Sequence, residues 1–267
     1  MKDLAPAAVA DIEELAAVLD DDGDLDRAVH TTRKGIKRLR SFLRLARQSI
    51  GKDVYRTENA ALRDTARLIA PARDALVLIE TAREMGASEP VLETLEHRHL
   101  EEIARLASGV QEDATKRLGS IAARWRMIDW GGPDAASIRA GLTRTYRRGF
   151  AEFAAVQSQP SAPAFHSWRR RVKYVRYQLE AIGEPGKLAK RWLALGDDLG
   201  WEHDHTVLIG VCSECSGDAG FRAVAARSRA RREELRSAAL GAGDHLFMLE
   251  PGAFVESVVS AAKLEAR

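Results

Sequence analysis

An all-α fold, built as an internal repeat of two four-helix bundles about an approximate two-fold axis, is predicted by three features of the sequence. Ala, Leu, Arg and Glu dominate; period-two alternation is nowhere sustained; and the two halves of the chain repeat one another position by position. With 267 residues, 45% of them hydrophobic, the chain can bury a core without covalent staples.

Turn chemistry sets the elements in order. Helices are expected over about 26–50, 53–70, 72–86 and 88–126, separated by Gly51, Pro71 and Gly86. Gly131-Gly132-Pro133 then divides the chain, and a connecting helix runs over about 134–157 into the polar linker SQPSAP (158–163). The second half predicts helices over about 164–182, 187–200, 203–217 and 219–241, with a last one after Pro251, whose fixed φ suits a first turn. The whole of 1–267 reads as one domain, with a first repeat over about 26–130, a second over about 134–267 and an acidic lead over 1–25. The first 26 residues hold nine acids and one lysine, which predicts a solvated acidic tail. A sharper reading has this tail fold over the basic helix that follows and compete with its ligand, so that deleting 1–22 would tighten binding.

Placing Val29 on Phe165 brings out the repeat. The apolar seam Val29, Thr32, Ile36, Leu39, Leu43, Ala46 overlays Phe165, Trp168, Val172, Val175, Leu179, Ile182 at the 3-4-3-4-3 spacing of a bundle-facing helix. Polar positions follow without a gap: His30, Arg33, Lys34, Lys37 and Arg40 overlay His166, Arg169, Arg170, Lys173 and Arg176.

Those polar positions are basic stripes. From Arg27 to Arg47 there are eight Lys or Arg and no acid, and His30, Arg33, Lys37, Arg40, Arg44 and Arg47 form one line, with Lys34 and Arg38 in the next row. Residues 165–178 carry five basic side chains, again with no acid. A solvated helix ordinarily mixes signs, because like charges at i,i+4 repel by a few tenths of a kcal/mol. Acids on neighbouring helices would neutralise one such stripe; two at matching positions predict an anion site. Net charge is only +2, so the electrostatic function must be local. Binders of single-stranded nucleic acid interleave cations with exposed aromatics, whereas Phe165 and Trp168 fall on the apolar seam and only Tyr174 and Tyr177 remain nearby. Closely spaced phosphates without bases require charge and forked donors, which Arg supplies. A linear polyanion of closely spaced phosphates without bases is therefore the expected partner, with nucleic acid as a competing polyanion.

The segments HTTRKGIKRLR (30–40), ARDALVL (72–78), FHSWRRRVKYVRYQLE (165–180) and LGDDLGWEHDHTVL (195–208) together resemble the two repeats of the CHAD family, the conserved histidine α-helical domain. The resemblance spans nearly the whole chain. It implies a pair of four-helix bundles with a basic surface that binds inorganic polyphosphate, in many members directing the protein to polyphosphate granules. Carried over by position, the family's site falls on His30, Arg33, Lys34, Lys37, Arg38 and Arg40, on His166, Arg169, Arg170, Lys173 and Arg176, and on Arg73 and the Tyr146-Arg147-Arg148 cluster; Arg44 joins them from the stripe. Two positions depart from the family pattern. Gly35 weakens the first basic helix by up to ~1 kcal/mol relative to Ala, and His203 stands where Asn or Arg is expected.

Other chemistry reads more weakly. Each of His30 and His166 opens a basic helix, either as a structural imidazole or as an imidazolium on phosphate, in which case affinity falls as pH rises past neutrality. Asp74 and Asp204 read as partners of helix N-termini or of stripe arginines. Cys212 and Cys215 (CSEC) could be grouped with His203 and His205 as zinc ligands, but their neighbours Ile209 and Val211 place them on a core-facing helix, so no metal is expected. Nucleophile motifs and glycine-rich phosphate loops are not found; an enzyme acting on phosphoesters or polyphosphate is the weaker alternative, and a nucleic-acid or acidic-protein adaptor the other. No cofactor, export signal or membrane span is read, and the two cysteines fit a reducing compartment, so a cytoplasmic protein, possible granule-bound fraction included, is expected.

Overall fold

The computed structural model describes residues 4–21, 23–131, 135–183 and 186–262; Asp22, Gly132 and Pro133, which figure in the expectations above, lie outside them. It is all helical, with no strand among the described residues. The helices are α1 (Leu4–Asp20), α2 (Leu25–Ile50), α3 (Lys52–Leu68), α4 (Ala70–Glu84), α5 (Glu89–Arg105), α6 (Gln111–Met127), α7 (Ala135–Ser158), α8 (Ala162–Ala181), α9 (Lys187–Glu214), α10 (Ala219–Leu246) and α11 (Pro251–Ala261). They form two compact units, one of Met1–Leu76 with Arg98–Leu142, the other of Val77–His97 with Thr143–Arg267.

In the first unit, α2 starts where Asp24 accepts a hydrogen bond from the Arg27 amide at 3.1 Å and stops at Gly51, whose φ of 81° favours glycine. Its whole apolar seam, from Val29 to Ala46, is buried. The expected acidic tail is instead a helix. Beneath the acids of α1 runs a row at 3.6-residue period, Ala5, Ala8, Val9, Ile12, Leu15 and Leu19, all buried in the core it shares with α2 and α6. Asp11, Glu13 and Glu14 face outward, and Glu13 pairs with Arg126 of α6. This packing also accounts for Gly35, because a Cβ there would run into the Leu15 side chain. The expected helix over 88–126 is broken by a π turn at Leu106–Val110, where Gly109 takes a φ of 108°. Across this core the buried Glu58 accepts from Arg124 at 2.8 and 3.0 Å and from the Trp125 indole at 3.0 Å.

The second unit contains one long α9 where two helices were expected over 187–200 and 203–217. Gly196 and Gly200 keep helical conformation, and the core faces of the two stretches join through Leu195, Leu199, Glu202, His205 and Leu208. Helix α8 is capped by Ser161, which accepts from the Ala164 amide at 3.3 Å, and its seam from Phe165 to Ile182 is buried throughout. That seam meets an aromatic core in which Tyr146 stacks on Phe254 at 3.9 Å and donates to the Leu246 and Leu249 carbonyls at 3.1 and 2.9 Å. A second cluster joins Ile79, Ala82, Val91 and Leu95 to Leu208, Cys212, Phe221 and Val224. Cys212 thus lies on the core side of α9, where burial pushes its thiol pKa up, and Cys215 caps the helix.

His205, also on α9, is fully buried, and among the described residues neither ring nitrogen has a hydrogen-bond partner. Burial pushes its pKa below the usual 6.5, opposed by Glu84 and assisted by Arg231. The folded state therefore binds fewer protons than the unfolded one below about pH 6.5. Its contribution to stability is complete above that pH and declines as pH falls, by up to about 1.4 kcal/mol per pH unit until the folded pKa is reached. Urea unfolding at pH 7.5 and 5.5 should show this loss, and His205→Leu should flatten it; an unchanged slope would show that His205 does not set the dependence.

Candidate functional site

In the first unit the long line of the stripe is largely fixed against neighbouring helices. Arg33 reaches Asp74 of α4 at 2.9 Å and the Ala70 carbonyl; Arg40 donates to Asn59 of α3 at 3.1 Å; Arg44 donates to the Arg40 carbonyl; and Arg47 lies 5.0 Å over the Tyr55 ring. Asp74 so pairs with a stripe arginine. Lys37 and, on α4, Arg73 are half-buried. The side chains that stand in solvent are those of His30, Lys34 and Arg38, and two of these belong to the secondary row. Close by, His99 of α5 holds Asp26 at 3.0 Å, a contact between positions far apart in the chain that nothing in the local sequence announces.

The second unit builds a comparable face on α8. Arg170 is exposed and donates to Ser167 at 3.1 Å, Arg169 is half-buried, and the Lys173 ammonium lies over α9 at Gly200, 3.9 Å from where a Cβ would stand. Arg176 is engaged by Glu180 at 2.9 Å and Asp197 at 3.8 Å and lies 5.1 Å over the Tyr177 ring. Arg147 and Arg148 are exposed on α7, whereas Tyr146 of the same cluster is wholly buried in the aromatic core. His166 is neither capping nor alone: its Nδ1 lies 3.5 Å from Nδ1 of His203 on α9. Burial, with Arg170 and Arg169 adding to it, holds His166 below the usual imidazole range. Further along α9, Glu202 is 2% exposed and receives Arg236 of α10 at 2.9 Å, with the guanidinium 4.7 Å over the Phe165 ring.

Chemically, each face sets arginine forks held by neighbouring side chains beside exposed cations, an arrangement suited to bind many phosphate oxygens. Among the described residues no group of three or more His, Cys, Asp or Glu is placed to hold a metal ion, and no helix is long and apolar enough to cross a membrane.

The CHAD domain family profile matches residues 6–213. The chain belongs to the CHAD domain family. Two solved structures have the same fold: PptA from Streptomyces chartreusis, at a TM-score of 0.70 and 16% identity over 93% of this chain and 99% of that one, and the CHAD domain from the plant Ricinus communis, at 0.58 and 18% over 97% and 89%. No match was found among curated protein sequences. The CHAD fold is thus shared at low identity, and any functional reading rests on this chain's own side chains.

Proposed function

We propose that this CHAD protein binds inorganic polyphosphate through the basic faces of α2 and α8, without chemical turnover, and that the same binding brings it to polyphosphate granules. The observation that carries the reading is the division of labour within each stripe. Lys34 and Arg38 on α2 and Arg170 on α8 stand in solvent. Arg33, Arg40 and Arg176 are held by Asp74, Asn59 and Glu180. Guanidinium groups already held in place lose less rotamer freedom when a ligand arrives.

A nucleic-acid reading finds less support. Phe165 and Trp168 are fully buried and Tyr177 nearly so, which leaves Tyr174, itself half-buried, as the one partly exposed aromatic ring of α8, short of the row of platforms on which successive bases stack. Trp201 of α9 is 46% exposed, but Asp197, Asp198 and Asp204 are its neighbours one turn away along the helix, and carboxylates repel a phosphate backbone.

Competition binding at about 150 mM salt tests the proposal, because affinity for any polyanion falls steeply with salt. Labelled long-chain polyphosphate should be displaced by unlabelled polyphosphate and poorly by single-stranded DNA. Lys34→Ala/Arg38→Ala/Arg170→Ala should weaken binding at least tenfold and flatten the salt dependence, by roughly 0.7–0.9 in the logarithmic slope for each phosphate charge the variant no longer neutralises. Equal displacement by DNA would reduce the faces to a general polyanion surface, and no binding would leave them as internal ion pairing. Orthophosphate release, with or without magnesium, would contradict the absence of turnover.

A further inference from the structure

We propose that His166 and His203 form a proton-coupled pair that takes up a proton when a phosphate chain binds beside it, so that the second unit binds polyanions more tightly as the pH falls. The inference rests on the polyanion reading above and adds to it a regulatory role for His203.

The two imidazoles come from different helices, α8 and α9, with ring centroids 4.8 Å apart and Nδ1 atoms facing at 3.5 Å. Two N–H groups cannot point at each other across that gap. One nitrogen must offer a lone pair, so the pair accommodates one proton between the rings and resists a second, as two like charges in contact do. The charges around it reinforce that resistance. Arg169 and Arg170 follow His166 on α8, and the Lys173 ammonium lies against α9 one turn further along. Of the carboxylates on the packed helices, Glu202 of α9 is engaged by Arg236 of α10, Glu152 of α7 is engaged by Arg171 at 2.9 Å, and Asp204 directly follows His203. Burial first, and then Arg170 and Arg169, hold His166 below the usual imidazole range before any ligand arrives.

A polyanion seated on Arg169, Arg170 and Lys173 reverses this balance. Its oxygens cancel the field of the guanidinium groups and offer acceptors to imidazole N–H, which favours a singly protonated pair in which one imidazolium donates its Nδ1–H to the lone pair of the other ring. Linkage then requires that protonation strengthen binding as much as binding strengthens protonation. Uptake of one proton corresponds to about a tenfold change in Kd per pH unit between the free and bound pKa values. The departure at His203 from the residue expected there thereby acquires a role: Asn or Arg could not share a titratable proton with His166.

The test is calorimetric titration of the full chain with long-chain inorganic polyphosphate near pH 6.5, in two buffers of different ionisation enthalpy, with affinities measured from pH 6 to pH 8. The expected result is net proton uptake approaching one per chain and an affinity that drops several-fold across the range. His203→Gln, with its helicity checked by circular dichroism, should abolish the uptake and flatten the profile, whereas His245→Gln, at an exposed position of α10 outside the basic faces, should leave both in place. Binding without proton uptake in the wild type, or uptake undiminished in His203→Gln, overturns the inference while leaving the proposed function intact. Absence of binding at every pH removes the function and this inference with it.

Discussion

Removal of residues 1–22 is expected to unfold the first unit, not to unmask its basic helix. Ile12 and Leu19 are wholly buried and Leu15 is 6% exposed, in one core with α2 and α6. Truncating a single buried Leu or Ile to Ala costs about 2–5 kcal/mol, and the deletion removes three such side chains with the helix that bears them. That loss is comparable with the entire stability of a domain, about 5–15 kcal/mol. The truncated chain should show reduced helicity and no cooperative urea transition for this unit, while Leu15→Ala alone should lower stability by about 2–5 kcal/mol. A deletion that keeps the transition and binds polyphosphate more tightly would reinstate a competing tail.

The second large effect is expected at Glu202. Its carboxylate is 2% exposed and receives Arg236, whose side chain is only 12% exposed. Glu202→Leu strips that guanidinium of its buried counter-charge and leaves it only the exposed Glu233 at 3.3 Å, at a cost approaching about 3–5 kcal/mol. Adding Arg236→Met should recover most of the loss, since a buried ion pair is often replaceable by apolar side chains of similar volume. Urea midpoints of the two single variants and the double variant form the cycle that decides it. If the double variant is as unstable as the sum of the singles, the pair does not act as a unit.

The seams of α2 and α8 were legible because burial along a bundle helix repeats every 3.6 residues, and all of their residues, from Val29 to Ala46 and from Phe165 to Ile182, are buried. The same periodicity exists in α1, yet nine acids within the first 26 residues make the segment read as solvated; the apolar row had to be weighed by spacing, not by composition. Around residue 200 a break between two helices is expected, whereas tertiary packing carries one helix through. At the candidate site the sequence shows which residues are basic but not which ones are engaged. Arg33 and Lys34 are neighbouring cations in the sequence, and only the placement of Asp74 on α4 engages the first while the second stands in solvent. Pairings such as that of His166 with His203, or of His99 with Asp26, join distant segments and have no local signature.

The threading of the chain has a consequence for its synthesis. Residues 77–97 belong to the second unit although 98–142 return to the first, and the apolar side chains Ile79, Ala82, Val91 and Leu95 are covered by Leu208, Cys212, Phe221 and Val224. On a ribosome adding about 5–20 residues per second, this early segment waits on the order of ten seconds before its cover emerges. For that interval the nascent chain presents an apolar helical hairpin with no native partner, which makes it a substrate for chaperones that recognise exposed hydrophobic surface and the part of the molecule most prone to aggregate when translation stalls between the two.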